Sequence, residues 1–153
     1  MDYMKNFEEA EKIDKLRSKM LKYILYKKRT EQEVRQKFSE EEENAVEDAI
    51  AYFKELKYID DFSYIERSVQ EFINLKSLSI KEISYKLCQK GVNKNVVEEY
   101  IFQHEDELLE YEMNSAQKIW NKKRQNSEEN EIKEFLYKKG YRQEIIRELC
   151  TGD

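Results

Sequence analysis

An all-α fold is predicted: a tandem array of three three-helix units, about nine short helices, elongated and curved. Three features of the 153-residue chain predict it. There is no proline and there are only three glycines, too little turn punctuation for an all-β chain or a doubly wound nucleotide-binding sheet. Apolar residues recur at three- and four-residue steps along the whole chain. A nine-residue pattern also returns twice at a spacing of 49 residues, the mark of repeated supersecondary units that bury their apolar faces against one another.

The repeat runs from Thr30-Glu31-Gln32-Glu33-Val34-Arg35-Gln36-Lys37-Phe38 to Ser79–Leu87 and then to Glu128–Leu136. Val34, Ile83 and Ile132 coincide, as do Phe38, Leu87 and Leu136, and Glu33, Glu82 and Glu131. The last two copies stay in step through Lys90-Gly91-Val92 and Lys139-Gly140-Tyr141.

The helices follow in order. Residues 1–12 are polar with little periodicity and are expected to be a flexible segment. The first unit, 13–57, carries the stripe Ile13, Leu16, Met20, Ile24. Its second helix opens at Thr30, where Thr30 and Glu33 form a capping box, and its third carries Val46, Ala49, Ile50, Phe53 and Leu56. The second unit, 58–102, repeats this with Ile65, Val69, Phe72 and Ile73, then Ile80, Ile83 and Leu87, then Val96, Val97 and Ile101. Ser79 and Glu82 supply its capping box, and Gly91 is placed to end a helix. The third unit, 103–150, has Met113, Ala116, Ile119 and Trp120, then Ile132, Phe135 and Leu136, then Ile145, Ile146 and Leu149. Residues 121–130 read as a loop, and Thr151-Gly152-Asp153 as a fraying tail.

Forty per cent of the residues are charged, which alone would suggest disorder, but 11 tyrosines, 7 phenylalanines and one tryptophan argue for a folded core. No apolar run is long enough to cross a bilayer, and the first residues lack a signal-peptide core, so a cytoplasmic protein is expected. Cys88 and Cys150 fit no metal or redox spacing and read as buried structural thiols. Charge is segregated. Lys12 to Lys37 holds ten basic and three acidic residues, whereas Glu98 to Glu112 holds seven acidic and no basic ones. A net charge of −5 argues against nucleic acid as the main ligand. The strip Arg17, Lys19, Lys22, Lys27, Lys28, Arg29 allows a weak, salt-sensitive secondary contact with single-stranded DNA.

Nothing assembles a catalytic constellation. The single histidine, His104, lies among acids and reads as a helix-end surface residue. No phosphate-cradling glycine loop or nucleophile elbow occurs. Asp60 or Asp61 reads as a helix N-cap rather than an acid/base group. No enzymatic activity, no cofactor and no metal site are expected.

Tyr58-Ile59-Asp60-Asp61-Phe62-Ser63-Tyr64-Ile65 resembles the signature of the RecX family, regulators of the RecA recombinase. Arg29-Thr30-Glu31-Gln32-Glu33-Val34 resembles the family's opening of the first unit, and Lys81 to Val92, ending Lys90-Gly91-Val92, its second-unit helix and stop. The resemblance covers about residues 13–150. Lys57 departs from it, standing where the family usually has glycine. So do Ser77 and Ser79, at common glycine positions, and Glu82, where a basic residue is frequent.

The resemblance implies a non-catalytic modulator that binds the RecA filament on single-stranded DNA and limits strand exchange, ATP hydrolysis and cleavage of the SOS repressor. Under it, the candidate contacts on polar faces of the first two units are Arg29, Arg35, Lys37, Arg67, Lys81, Lys86 and Lys90, and a monomer is expected. The alternative is a helical scaffold or adaptor for another cytosolic protein. A helix-turn-helix DNA binder is disfavoured, because acids at the starts of the second helices would repel phosphate.

Overall fold

In the computed structural model the described residues, 2–75 and 77–151, form nine α-helices and no strand: α1 Asp2–Tyr26, α2 Glu31–Lys37, α3 Glu43–Glu55, α4 Asp61–Leu75, α5 Ile80–Gln89, α6 Lys94–Gln103, α7 Glu105–Lys123, α8 Glu129–Lys139 and α9 Gln143–Thr151. The Cys150 side chain and residues 152–153, with the end of the expected frayed tail, lie outside the described residues.

Local chemistry sets most helix starts. The Thr30 hydroxyl accepts from the Glu33 N–H while the Glu33 carboxylate accepts from the Thr30 N–H, both at 3.0 Å. Ser79 and Glu82 repeat the box at 3.1 and 3.0 Å. Each box satisfies donors that a helix start leaves open. Glu42 caps α3 by accepting from Asn44 and Ala45, and Asn93 caps α6 by accepting from Asn95.

Two helix ends close in the same way. At the end of α8 the Gly140 N–H reaches Tyr137 O and the Tyr141 N–H reaches Leu136 O, with Gly140 at φ 99°. At the end of α3 the Lys57 N–H reaches Lys54 O and the Tyr58 N–H reaches Phe53 O. This is the Schellman closure, which needs a left-handed residue after the helix. Lys57 takes that conformation, φ 64°, and is the one non-glycine residue to do so among those described.

The chain gathers into two compact units, Met1–Tyr64 with Lys90–Val92, and Ile65–Gln89 with Asn93–Asp153. In the first, α1 packs on α3 and α2, and α2 on α3, around Leu16, Met20, Ile24, Val34, Phe38, Val46, Ala49, Ile50, Phe53 and Ile59. In the second, α7 packs on α9 and α8, around Ala116, Trp120, Ile132, Leu136, Tyr141, Ile145, Ile146 and Leu149. Each large apolar side chain so buried contributes roughly 1.5–3 kcal/mol.

Four expectations are corrected. The segment expected to be flexible is helical from Asp2, because Ala10 and a run of Glu and Lys favour helix and no proline or glycine stops it. Its described side chains are all exposed as far as Lys15. Ile13 is 45% exposed, at the rim of an open groove between α1 and the start of α3; Leu56 is 49% exposed where α3 ends. The loop expected over 121–130 spans only 124–128, since α7 continues through Lys123. Cys88 is half-buried rather than buried.

Candidate functional site

The segment Tyr58–Ile65 is a joint in which neighbouring acids do different work. Asp60 caps α4, its carboxylate accepting from the Phe62 and Ser63 N–H groups at 3.1 and 3.3 Å and from the Ser63 hydroxyl at 3.0 Å. Burial pushes its pKa up, but these donors outweigh it and hold the carboxyl below its usual value. Asp61, one residue on, accepts from the Glu31 N–H at 2.9 Å, so the first turn of α4 caps the start of α2. Asp61 is pushed up, mainly by burial, against the pull of that N–H. Ile59 is buried in the first core.

Beside this joint a basic and aromatic surface forms where α1 hands over to α2. The Arg29 guanidinium lies 3.9 Å from the Tyr23 ring centroid and 6.0 Å from that of Tyr26, and its Nε donates to Tyr23 O at 3.4 Å. The Lys37 ammonium approaches the Tyr23 ring to 5.6 Å, and Phe38 meets Tyr23 edge to face. Tyr26 is 83% exposed. Cations over aromatic faces are held without a carboxylate and keep their charge toward solvent, which suits recognition of an acidic surface.

The other candidates are placed differently. Arg35 is committed to Glu47, with Nε at 2.6 Å and a second nitrogen at 3.1 Å, and it also reaches Glu31 and Gln32. That pairing, led by the Arg35 hydrogen bond, holds the Glu47 carboxyl down. Arg67 pairs with Glu71 at 3.7 Å along the exposed face of α4. Lys81 lays its stem beside Gly140. Lys86 is exposed in the last turn of α5. Lys90 is exposed, while its carbonyl accepts from Thr30. Of the seven, the structure therefore brings Arg29 and Lys37 together. Arg17, part of the expected basic strip, instead turns its guanidinium over Tyr52 at 3.9 Å. Tyr23 and Tyr26 were missed by sequence reasoning; their three-residue spacing on α1 just before Arg29 was the available signal.

The second unit holds a buried polar cluster. Glu112 is 1% exposed; one carboxylate oxygen accepts from Arg142 Nε at 3.1 Å and the other has no hydrogen-bond partner among the described residues. Burial pushes the Glu112 pKa up against the attraction of Arg142. The Ser115 and Tyr141 hydroxyls share a 2.7 Å hydrogen bond, and burial pushes Tyr141 up to about 12. His104 stacks on Tyr100 with ring centroids 4.1 Å apart, at the junction of α6 and α7. Among the described residues there is no group of three or more potential metal ligands, and no helix is long and apolar enough to cross a membrane.

No family model matches the chain. The regulatory protein RecX of Clostridium botulinum is 31% identical over 154 residues, covering 95% of this chain and 72% of that protein. RecX of Finegoldia magna is 30% identical over 144 residues, covering 84% and 67%. RecX of Staphylococcus carnosus is 30% identical, and there the match spans 58% of the relative's length. Among solved structures, RecX from Lactobacillus salivarius superposes with a TM-score of 0.79 at 28% identity over 94% of this chain and 97% of that one. Similarity of this extent to relatives themselves named as regulatory proteins, together with the superposition on a solved RecX structure, establishes that the chain belongs to the RecX family.

Proposed function

We propose that this chain is a non-catalytic regulator that binds the RecA recombinase filament on single-stranded DNA and inhibits its recombinase, ATPase and coprotease activities in DNA repair and the SOS response. Family membership supports the partner. The observation that carries the reading within the chain is the Arg29–Tyr23–Tyr26–Lys37 surface, where two cations are held on aromatic rings rather than neutralised by carboxylates. Such a surface suits a protein filament with acidic side chains on its groove, and it makes only a secondary, salt-sensitive contact with the DNA phosphates. The protein acts as a cytoplasmic monomer.

The test is the single-stranded-DNA-dependent ATP hydrolysis of the cognate RecA, titrated with this protein at two salt concentrations. A fall in rate is expected, and Arg29→Glu should weaken it while leaving the protein folded. An unchanged rate at both salts, with folded protein, rejects the regulator reading in favour of an adaptor for another cytosolic protein.

A further inference from the structure

A second basic surface, in the other compact unit, has a different shape. The end of α7, the turn after it and the face of α8 enclose a groove of about 520 Å³. Four lysines line it, Lys118, Lys122, Lys123 and Lys139, with Phe135 and Ser77 on its wall and no carboxylate among the lining residues. Two of the cations are positioned in advance. The Lys123 ammonium sits 3.9 Å above the Phe135 ring centroid, and Lys139 donates to Ser77 O at 2.9 Å, 5.6 Å from the same ring. Glu82 stands 3.7 Å from Lys139 and is itself engaged in the Ser79 capping box, and Lys118 also borders an adjoining groove with Glu107 and Glu110.

Lysines in the last turns of α7 and α8 offset the helix dipoles, which accounts for Lys122, Lys123 and Lys139 singly. It does not account for Lys118, more than a turn earlier, nor for the convergence of all four on one concavity. Nor does it explain why Phe135, next to the buried Leu136, remains 38% exposed beneath them.

We propose that this groove is a binding site for a nucleoside di- or triphosphate. Ammonium groups act as point charges on phosphate oxygens, and four around one cavity match the closely spaced charges of a polyphosphate better than a lone carboxylate. The volume lies within the range of small-ligand sites, and Phe135, one ring face of which Lys123 covers, leaves an exposed apolar edge for a base to pack on. A single nucleic-acid strand is the less fitting ligand, because the cations gather at one point rather than along a track.

The full chain is titrated with magnesium-free ATP, with tripolyphosphate and with a short oligothymidylate, at low and near-physiological salt, by calorimetry. Saturable binding of ATP and tripolyphosphate is expected, weakened about tenfold or more by Lys122→Glu, a charge reversal on an exposed residue. Phe135→Leu should weaken ATP more than tripolyphosphate. The proposal is overturned by absence of saturable binding at low salt, by affinity indifferent to Lys122→Glu in a variant with native circular dichroism, or by oligothymidylate binding that tripolyphosphate does not compete. Equal loss of ATP and tripolyphosphate on Phe135→Leu overturns the nucleoside part.

Discussion

The Thr30 hydroxyl donates to the carbonyl of Lys90 at 2.7 Å across sixty residues, and the Ser79 hydroxyl donates to Lys139 O across the same interval at the same distance. Each acceptor immediately precedes a left-handed glycine, Gly91 or Gly140. One hydroxyl thus serves twice. It accepts from its own helix start and donates to the end of a helix one repeat later, and both Thr30 and Ser79 are completely buried.

Thr30→Val keeps the shape of the side chain and removes both bonds. The lost cap costs about 1 kcal/mol, and the part-buried Lys90 carbonyl left unpaired costs about 1–2 kcal/mol more. A combined loss of about 2–3 kcal/mol is expected in urea unfolding, read as a lower midpoint with unchanged slope. A loss below about 0.5 kcal/mol would show that water replaces the hydroxyl.

The glycines that follow should be unequal. A methyl group built on Gly91 lies 2.5 Å from Gln32 Cβ and 2.8 Å from its Cγ, whereas on Gly140 the nearest atom is Lys81 Cβ at 2.9 Å. Both substitutions carry the left-handed penalty of about 1–2 kcal/mol. Gly91→Ala adds the harder collision and should be the more destabilising of the two in thermal melts.

Lys57→Gly should stabilise the protein. Lys57 holds the left-handed position that closes α3, at a cost of about 1–2 kcal/mol for a residue with a Cβ. Glycine escapes this and gives back about 0.5–1 kcal/mol in unfolded-state entropy. A net gain of about 0.5–1 kcal/mol is expected, with none for Lys57→Ala, which keeps the Cβ.

Glu112 predicts the pH response of the second unit. Its folded pKa lies above the usual 4.5 because of burial, so the folded state holds the proton more tightly than the unfolded one. The favourable contribution of the neutral carboxyl is fully present below about 4.5 and is lost as pH rises through the folded value, at roughly 1.4 kcal/mol for each unit of separation. Glu112→Gln should flatten that fall: denaturant midpoints of variant and parent should diverge from acid to neutral pH, the variant losing less.

Arg35 and Arg29 separate structural from interfacial charge. Arg35→Ala breaks the Glu47 pair on a partly exposed surface, worth about 1 kcal/mol or less, and should leave inhibition of RecA ATP hydrolysis unchanged. Arg29→Ala should weaken that inhibition. Equal loss in both would remove the distinction drawn between them.

The caps were legible in the sequence because their grammar is local: Thr30 and Glu33 are three residues apart, and the helix itself brings them together. The Lys90 carbonyl was not, since a main-chain acceptor carries no mark in the sequence and the contact is made by tertiary packing. Ile13 shows the same limit in the core. Its stripe names a face of α1, but not how far along that face α3 extends. For the candidate surface, the basic residues could be listed but not sorted. Whether Arg35 is free depends on Glu47 arriving from another helix, and whether Arg29 is held depends on Tyr23 and Tyr26 facing it. Lys57 stood out in sequence as a departure from glycine, and the backbone angle supplies the reason glycine is usual there.

The packing of Lys90–Val92 with the first unit has a consequence for how the chain is born. On the ribosome, α1 to α3 emerge well before their closing segment. At roughly 5–20 residues per second, the sixty residues from Thr30 to Lys90 take roughly 3–12 s to synthesise. Throughout that interval the buried Thr30 position lacks its distal acceptor, so the nascent first unit waits, incompletely sealed, for a strap encoded within the next repeat.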